Sequence, residues 1–162
     1  MDFRQTYCFD DLLLVPKYSD IKSRSEVDLS SSLSTDINLG LPVMSSPMDT
    51  VTESAMAVAM QKAGGLGIIH RYNSVGQQAE LVRGAITSGA KYVAAAIGVT
   101  GDYEERACIL YDAGARIICL DIAHGHHAMM KSAVKKLKEV LGDDIHIMAG
   151  NVASLEAFDD LS

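Results

Sequence analysis

From Leu41 onward the chain repeats one unit: a short apolar run, a polar or glycine-containing turn, an amphipathic stretch at helical spacing, and a small-residue stop. "LPVMSSPMDT" leads into "ESAMAVAMQKAGG", "LGIIH" into "SVGQQAELVRGAITSG", "YVAAAIGV" into "DYEERACILYDAG", and "RIICLDIAH" into "HAMMKSAVKKLKEVLG". "IHIMAGNVAS" then opens "LEAFDDLS". The apolar runs do not alternate with polar residues, as expected of strands buried on both faces of a parallel sheet. In "DYEERACILYDAG", Ala107, Leu110 and Tyr111 share a helical face, Asp102 is placed to cap the start and Gly114 to end it. The pattern predicts an α/β protein with right-handed crossovers: five strands, four complete helices and the start of a fifth.

Residues 1–40 read differently. "FDDLLLVPKYSDIKSRSEVDLSSSLSTDINLG" is rich in Ser and Asp and contains Pro, which predicts short strands or loops packed against the core. With 162 residues and 48% hydrophobic composition, one domain with one sizeable core is expected.

Charge narrows the functional classes. The formal net charge is −7, and the main cationic cluster, "KSAVKKLKEV", reads as a solvated helix face. A nucleic-acid surface is therefore not expected. Apolar runs such as "YVAAAIGV" fall well short of a bilayer span, so no membrane association is expected either. Cys8, Cys108 and Cys119 are odd in number and lack CxxC spacing, which suggests reduced thiols and a cytoplasmic location.

In a parallel α/β array, the carboxyl ends of the strands converge on one rim, where ligands bind. Those ends carry Ser46, Met48 and Asp49, then His70, Gly98, Asp121 with His124, and Gly150 with Asn151. Each has an ordinary reading too. Asp49 with Thr50, Thr52 and Glu53 would serve as a helix cap, His70 as a turn histidine, and Gly150-Asn151 as a tight turn. A metal-dependent hydrolase is a rival reading, because His124 and His126 have the H-x-H spacing of some zinc sites, with Asp121, Asp49 or His70 to complete the shell. Gly125 argues against it: the histidines lie on a loop that has already left the strand. No metal site is expected.

In order and spacing, "FDDLLLVP", "SSPMDTVTE", "GGLGIIHR", "AAIGV", "LDIAHGH" and "AGNVAS" closely resemble the catalytic barrel of the IMP dehydrogenase / GMP reductase family. The resemblance implies a (β/α)8 TIM barrel, of which residues 41–162 would form about five βα units and residues 1–40 an N-terminal extension. It implies a purine nucleotide, IMP or GMP, at the strand ends and hydride transfer between purine C2 and NAD or NADP. The dehydrogenase oxidises IMP to XMP; the reductase converts GMP to IMP and ammonia. Carried over by motif, Ser46, Met48, Gly150 and Asn151 would contact the nucleotide, and Asp121, Ile122, Ala123 and His70 the dinucleotide. A homo-oligomer, a tetramer in the family, is implied as well.

The departures from the family pattern matter as much. The family's nucleophilic cysteine lies in a glycine-rich GxGSxCxT-like loop after the sixth strand, and the 162 residues hold no such loop. Its potassium-binding loop, later phosphate loops and flap are not among them either. The expectation is thus half a site, inactive alone, completed by a C-terminal half or by self-association; a non-catalytic nucleotide-binding partial barrel is the alternative. His127 replaces a usual Ser or Tyr, Ser154 a usual Thr, and Gly76 a frequent Glu. "HRYNSVGQQAELVRG" runs on without the regulatory tandem domain that many dehydrogenases insert there. "SSPMDTVTE" and "AHGH" favour the dehydrogenase, "ICLD" and "IMAGNV" the reductase.

Overall fold

The structure is a computed structural model describing residues 5–162; residues 1–4 of the expected extension lie outside the described part. Two single 3-10 turns, Phe9–Asp11 and Arg24–Glu26, precede a short antiparallel pair, β1 (Ser31–Ser32) and β2 (Asn38–Leu39). Five βα units follow: β3 (Met44–Ser45) and α1 (Ser54–Lys62), β4 (Leu66–Ile69) and α2 (Val75–Thr87), β5 (Ala94–Ile97) and α3 (Tyr103–Asp112), β6 (Ile117–Asp121) and α4 (Ala128–Leu141), β7 (His146–Gly150) and α5 (Leu155–Leu161). A 3-10 turn, Gly142–Asp144, links α4 to β7.

The five strands form one parallel sheet in sequential order, β3-β4-β5-β6-β7. Sequential parallel pairing with a helix after every strand is the winding of a (β/α)8 barrel. The architecture is therefore five consecutive units of such a barrel.

Alternation along the strands sorts the core into two layers. Leu66 and Ile68, Ala94 and Ala96, and Ile117 and Cys119 cluster on the inner side of the sheet, where Ile37 and Leu39 from the N-terminal hairpin join them. Ile69, Ala95, Ile97, Ile118 and Leu120 point the other way and meet Ala79, Val82, Leu110, Met130 and Leu137 from the helices. Fully burying a Leu or Ile side chain of this kind contributes roughly 1.5–3 kcal/mol. Gly67 explains how α1 approaches so closely: a Cβ there would lie 2.5 Å from Ala57 Cα.

Within residues 5–40, burial is confined to Ile37 and Leu39, while residues 5–32 are exposed throughout. Asp36, in the hairpin turn, lies 3.1 Å from His146 Nε2 at the start of β7, closing the hairpin over the amino end of the sheet.

Helix boundaries follow local chemistry, with two differences from the sequence pattern. Ser74 and Gln77 form a reciprocal capping box that starts α2 despite Gly76, and the Ser154 hydroxyl accepts from the Ala157 N–H to start α5. Asp102 precedes α3 without a side-chain cap bond; its carboxylate turns to Arg106, 3.3 Å away. Asp49 does not cap α1 either, since Glu53 occupies that position and Asp49 Oδ1 accepts from the Thr50 N–H. Gly114, at φ 112°, leads the chain out of α3 as expected.

Candidate active site

The carboxyl ends of β6 and β7 are the best-defined part of the rim. Asp121 pairs with Gly150 as the last residues of the two strands, so the polar groups that follow begin at one level. Beyond the strands, the Ile122 N–H donates to Gly150 O at 3.0 Å, the Asn151 N–H to Ile122 O at 2.8 Å, and the Gly125 N–H to Asn151 O at 2.7 Å. The Gly150–Asn151 peptide is cis. The loop after β6 is thus laced to the loop after β7. Gly125 is required for this approach, because a Cβ at that position would fall 2.7 Å from Asn151 O.

Ala123, His124, His126, Asn151, Val152 and Ser154 line a cleft of about 310 Å³ between these two loops. The structure therefore brings Asp121, Ile122 and Ala123 next to Gly150 and Asn151. Of the residues that resemblance assigns to cofactor and to nucleotide, these five share one edge, while Ser46, Met48 and His70 lie on other loops.

The loop after β3 is organised by a residue the sequence pattern passes over. Thr52 is fully buried, its hydroxyl donates to Ser46 O at 2.6 Å, and its Oγ1 lies 2.9 Å from Ser45 Oγ. The Thr52 N–H donates to Met48 O at 3.0 Å. Ser46 and Met48 are held at the rim by these bonds with their side chains exposed. A threonine just before a helix reads as a cap candidate, and its tertiary target has no signature in sequence.

His70 is buried. Its Nδ1 accepts from the Tyr72 N–H at 3.2 Å, which places the ring proton on Nε2, 3.4 Å from Glu53 Oε1. With Asp49, Glu53, Tyr72 and Glu80 it lines a wide cleft of about 770 Å³ that lies beside α1 and α2. Its neighbour Arg71 turns the other way: Nη2 reaches the Asp121 carbonyl oxygen at 3.4 Å.

The histidines after β6 are engaged in local structure. His126 Nε2 lies 2.9 Å from Asp160 Oδ2, which Lys131 also contacts, and His127 Nδ1 accepts from the Met129 N–H as the cap of α4. His124 is exposed. Among the described residues, no three His, Cys, Asp or Glu side chains stand close enough together to hold a metal ion.

None of the three cysteines lines the cleft between the two loops. Cys119 faces the inner side of the sheet, and burial, reinforced by the Asp121 charge, pushes its thiol up to about 12. Cys108 is half-buried in α3 and Cys8 is exposed beside Asp11.

A parallel βα array with its polar groups gathered at the carboxyl rim is the ligand-binding arrangement of barrel enzymes. A family model described as "IMP dehydrogenase / GMP reductase domain" matches residues 6–162. The inosine-5'-monophosphate dehydrogenase of Cryptosporidium parvum is 34% identical over 195 aligned positions, covering 94% of this chain and 48% of that protein. The dehydrogenase of Nitrosopumilus maritimus is 49% identical over 102 residues, covering 63% of this chain and 21% of its own length. That of Bacillus subtilis is 54% identical over 87 residues, 49% of this chain and 18% of its own. The chain belongs to the IMP dehydrogenase / GMP reductase family. It spans at most about half the length of these relatives.

Among the described residues, no helix is long and apolar enough to cross a membrane.

Proposed function

We propose that the chain supplies the first five βα units of an NAD(P)-dependent purine-nucleotide oxidoreductase of the IMP dehydrogenase type. The observation that carries this reading is the lacing of Asn151 to the loop that follows Asp121, which joins the nucleotide edge to the dinucleotide edge. In this reading Ser46, Met48, Gly150 and Asn151 meet IMP, and Asp121, Ile122, Ala123 and His70 meet the cofactor. The rim fits a dinucleotide: the Asp121 carboxylate is half-exposed and accepts no hydrogen bond among the described residues, so it is free for ribose hydroxyls. Bound NAD(P) would supply a hydride acceptor for purine C2.

This chain's own contribution is positional. The Thr52 anchor sets the nucleotide loop, and the 122–151 lacing sets the distance between base and cofactor. Cys119, held protonated inside the sheet, is not the nucleophile in this reading, and the chain by itself is expected to be inactive. A cytoplasmic homo-oligomer, with a potassium ion in the complete enzyme, belongs to the same reading.

The test is a melting and titration series with IMP, GMP, XMP, NAD and NADP. A purine nucleotide that raises the midpoint in a saturable way supports the reading, since a ligand preferring the native state must stabilise it. Absence of any nucleotide effect, with the chain folded, refutes it. Preference for GMP and NADP would move the assignment to the reductase.

A further inference from the structure

Arg71 directly follows β4, and its side chain runs across the rim rather than into solvent. Its Nη2 donates to Asp121 O at 3.4 Å, a long bond. A Cβ on Gly98 would lie 3.7 Å from Arg71 Nη1, so the guanidinium lies over the end of β5 on its way to β6. One cation thus spans three consecutive strand ends.

Its partners do not account for it. Nε is buried without a hydrogen-bond partner. Among the described residues, Arg71 forms no ion pair, although Asp121 is the residue whose carbonyl it touches. The Tyr72 ring, 5.6 Å from Cζ, supports one side of the guanidinium plane. A guanidinium has five N–H donors, and leaving a buried one unpaired is costly. The Arg71 guanidinium reaches the Asp121 backbone without pairing with its carboxylate, so a donor fork and an acceptor stand unpaired near the end of β6.

The ligand chemistry that matches both is a ribose phosphate, with hydroxyls to the carboxylate and phosphate oxygens to the fork. We infer that Arg71 is the phosphate contact of the dinucleotide site, binding the cofactor's pyrophosphate beside Asp121. The inference deepens the proposed function and rests on its placement of the cofactor at this edge. His70, by contrast, supports the neighbouring cleft.

The test titrates the purified chain with ADP-ribose, which carries the pyrophosphate, and with adenosine, which carries none. Arg71→Met is expected to weaken ADP-ribose binding by about 10-fold or more, and Arg71→Lys to recover part of it, because a point charge replaces a fork. Adenosine binding should be the same in all three proteins. Inorganic pyrophosphate should displace ADP-ribose from the unmutated chain, which tests the site even if the Met variant does not fold. Equal ADP-ribose affinity in folded Arg71→Met and unmutated protein would overturn the inference. So would failure of the unmutated chain to bind ADP-ribose, or pyrophosphate that does not compete. Failure to bind IMP and GMP, with Arg71-dependent ADP-ribose binding intact, would instead count against the proposed function alone.

Discussion

At the scale of single residues, two positions decide whether the rim exists. Gly125 is a glycine because backbone from another strand passes where its side chain would be. Gly125→Ala is expected to cost about 1–3 kcal/mol, the range for overpacking a tight site. A urea titration measures it, and an unchanged midpoint would show that the two loops are not locked together. Thr52 holds the loop after β3 with one hydroxyl. Thr52→Val keeps the shape and removes the donor; Ser46 O keeps the Met48 N–H at 2.8 Å, so the expected loss is about 0.5–1.5 kcal/mol of stability, one net hydrogen bond. Under the proposed function, IMP affinity should fall with it, as measured by calorimetry. The glycine was visible in sequence as a loop residue, but its reason is a contact 26 positions away at Asn151.

At the scale of elements, the helices are joined to the sheet and to one another by a few polar bonds through an otherwise apolar layer. Gln78 on α2 is fully buried; its Nε2 donates to Ala96 O at 2.8 Å and its Oε1 accepts from Arg106 Nη1 at 2.9 Å. Gln78→Leu would remove both bonds, although Arg106 Nη1 keeps Asn73 O at 3.3 Å, and chemical unfolding should report a loss of about 1–3 kcal/mol. In sequence Gln78 stands among polar neighbours and reads as a solvated position.

A second polar bond ties α5 to the start of α4. Lys131, and after it His126, hold the Asp160 carboxyl below its ordinary value of 3.8. A depressed folded-state value stabilises the fold above the unfolded value, and the gain is lost as pH falls through the folded one. The midpoint gap between unmutated protein and Asp160→Asn should therefore be present at neutral pH and close as pH drops below 3.8. A gap that persists unchanged in strong acid would show that the clamp does not act through the carboxylate charge.

At the scale of the whole molecule, the open sheet is the governing feature. Among the described residues, no strand pairs with the outer side of β3 or β7. Val43 and Met44 near one edge and Phe158 near the other are exposed, and an apolar cleft of about 170 Å³ lies among Ile147, Ala149, Val152 and Phe158. Unpaired edges beside apolar surface invite association. Sedimentation equilibrium is expected to show mass rising with concentration, and Phe158→Lys to shift the distribution towards monomer. A monomer at every concentration would mean the edges are protected in a way the fold does not show.

The sequence by itself determined the βα rhythm and the family, because these depend on local periodicity and ordered motifs. It also put Asp121, Gly150 and Asn151 at strand ends, since strand ends follow from where apolar runs stop. Tertiary structure alone decided which ends meet. It laced the loop after Asp121 to Asn151, turned His70 towards Glu53 and carried Arg71 to Asp121, 50 positions along the chain. Those outcomes depend on the direction of a side chain at a strand end and on sheet register, and neither is written in the spacing of hydrophobic residues.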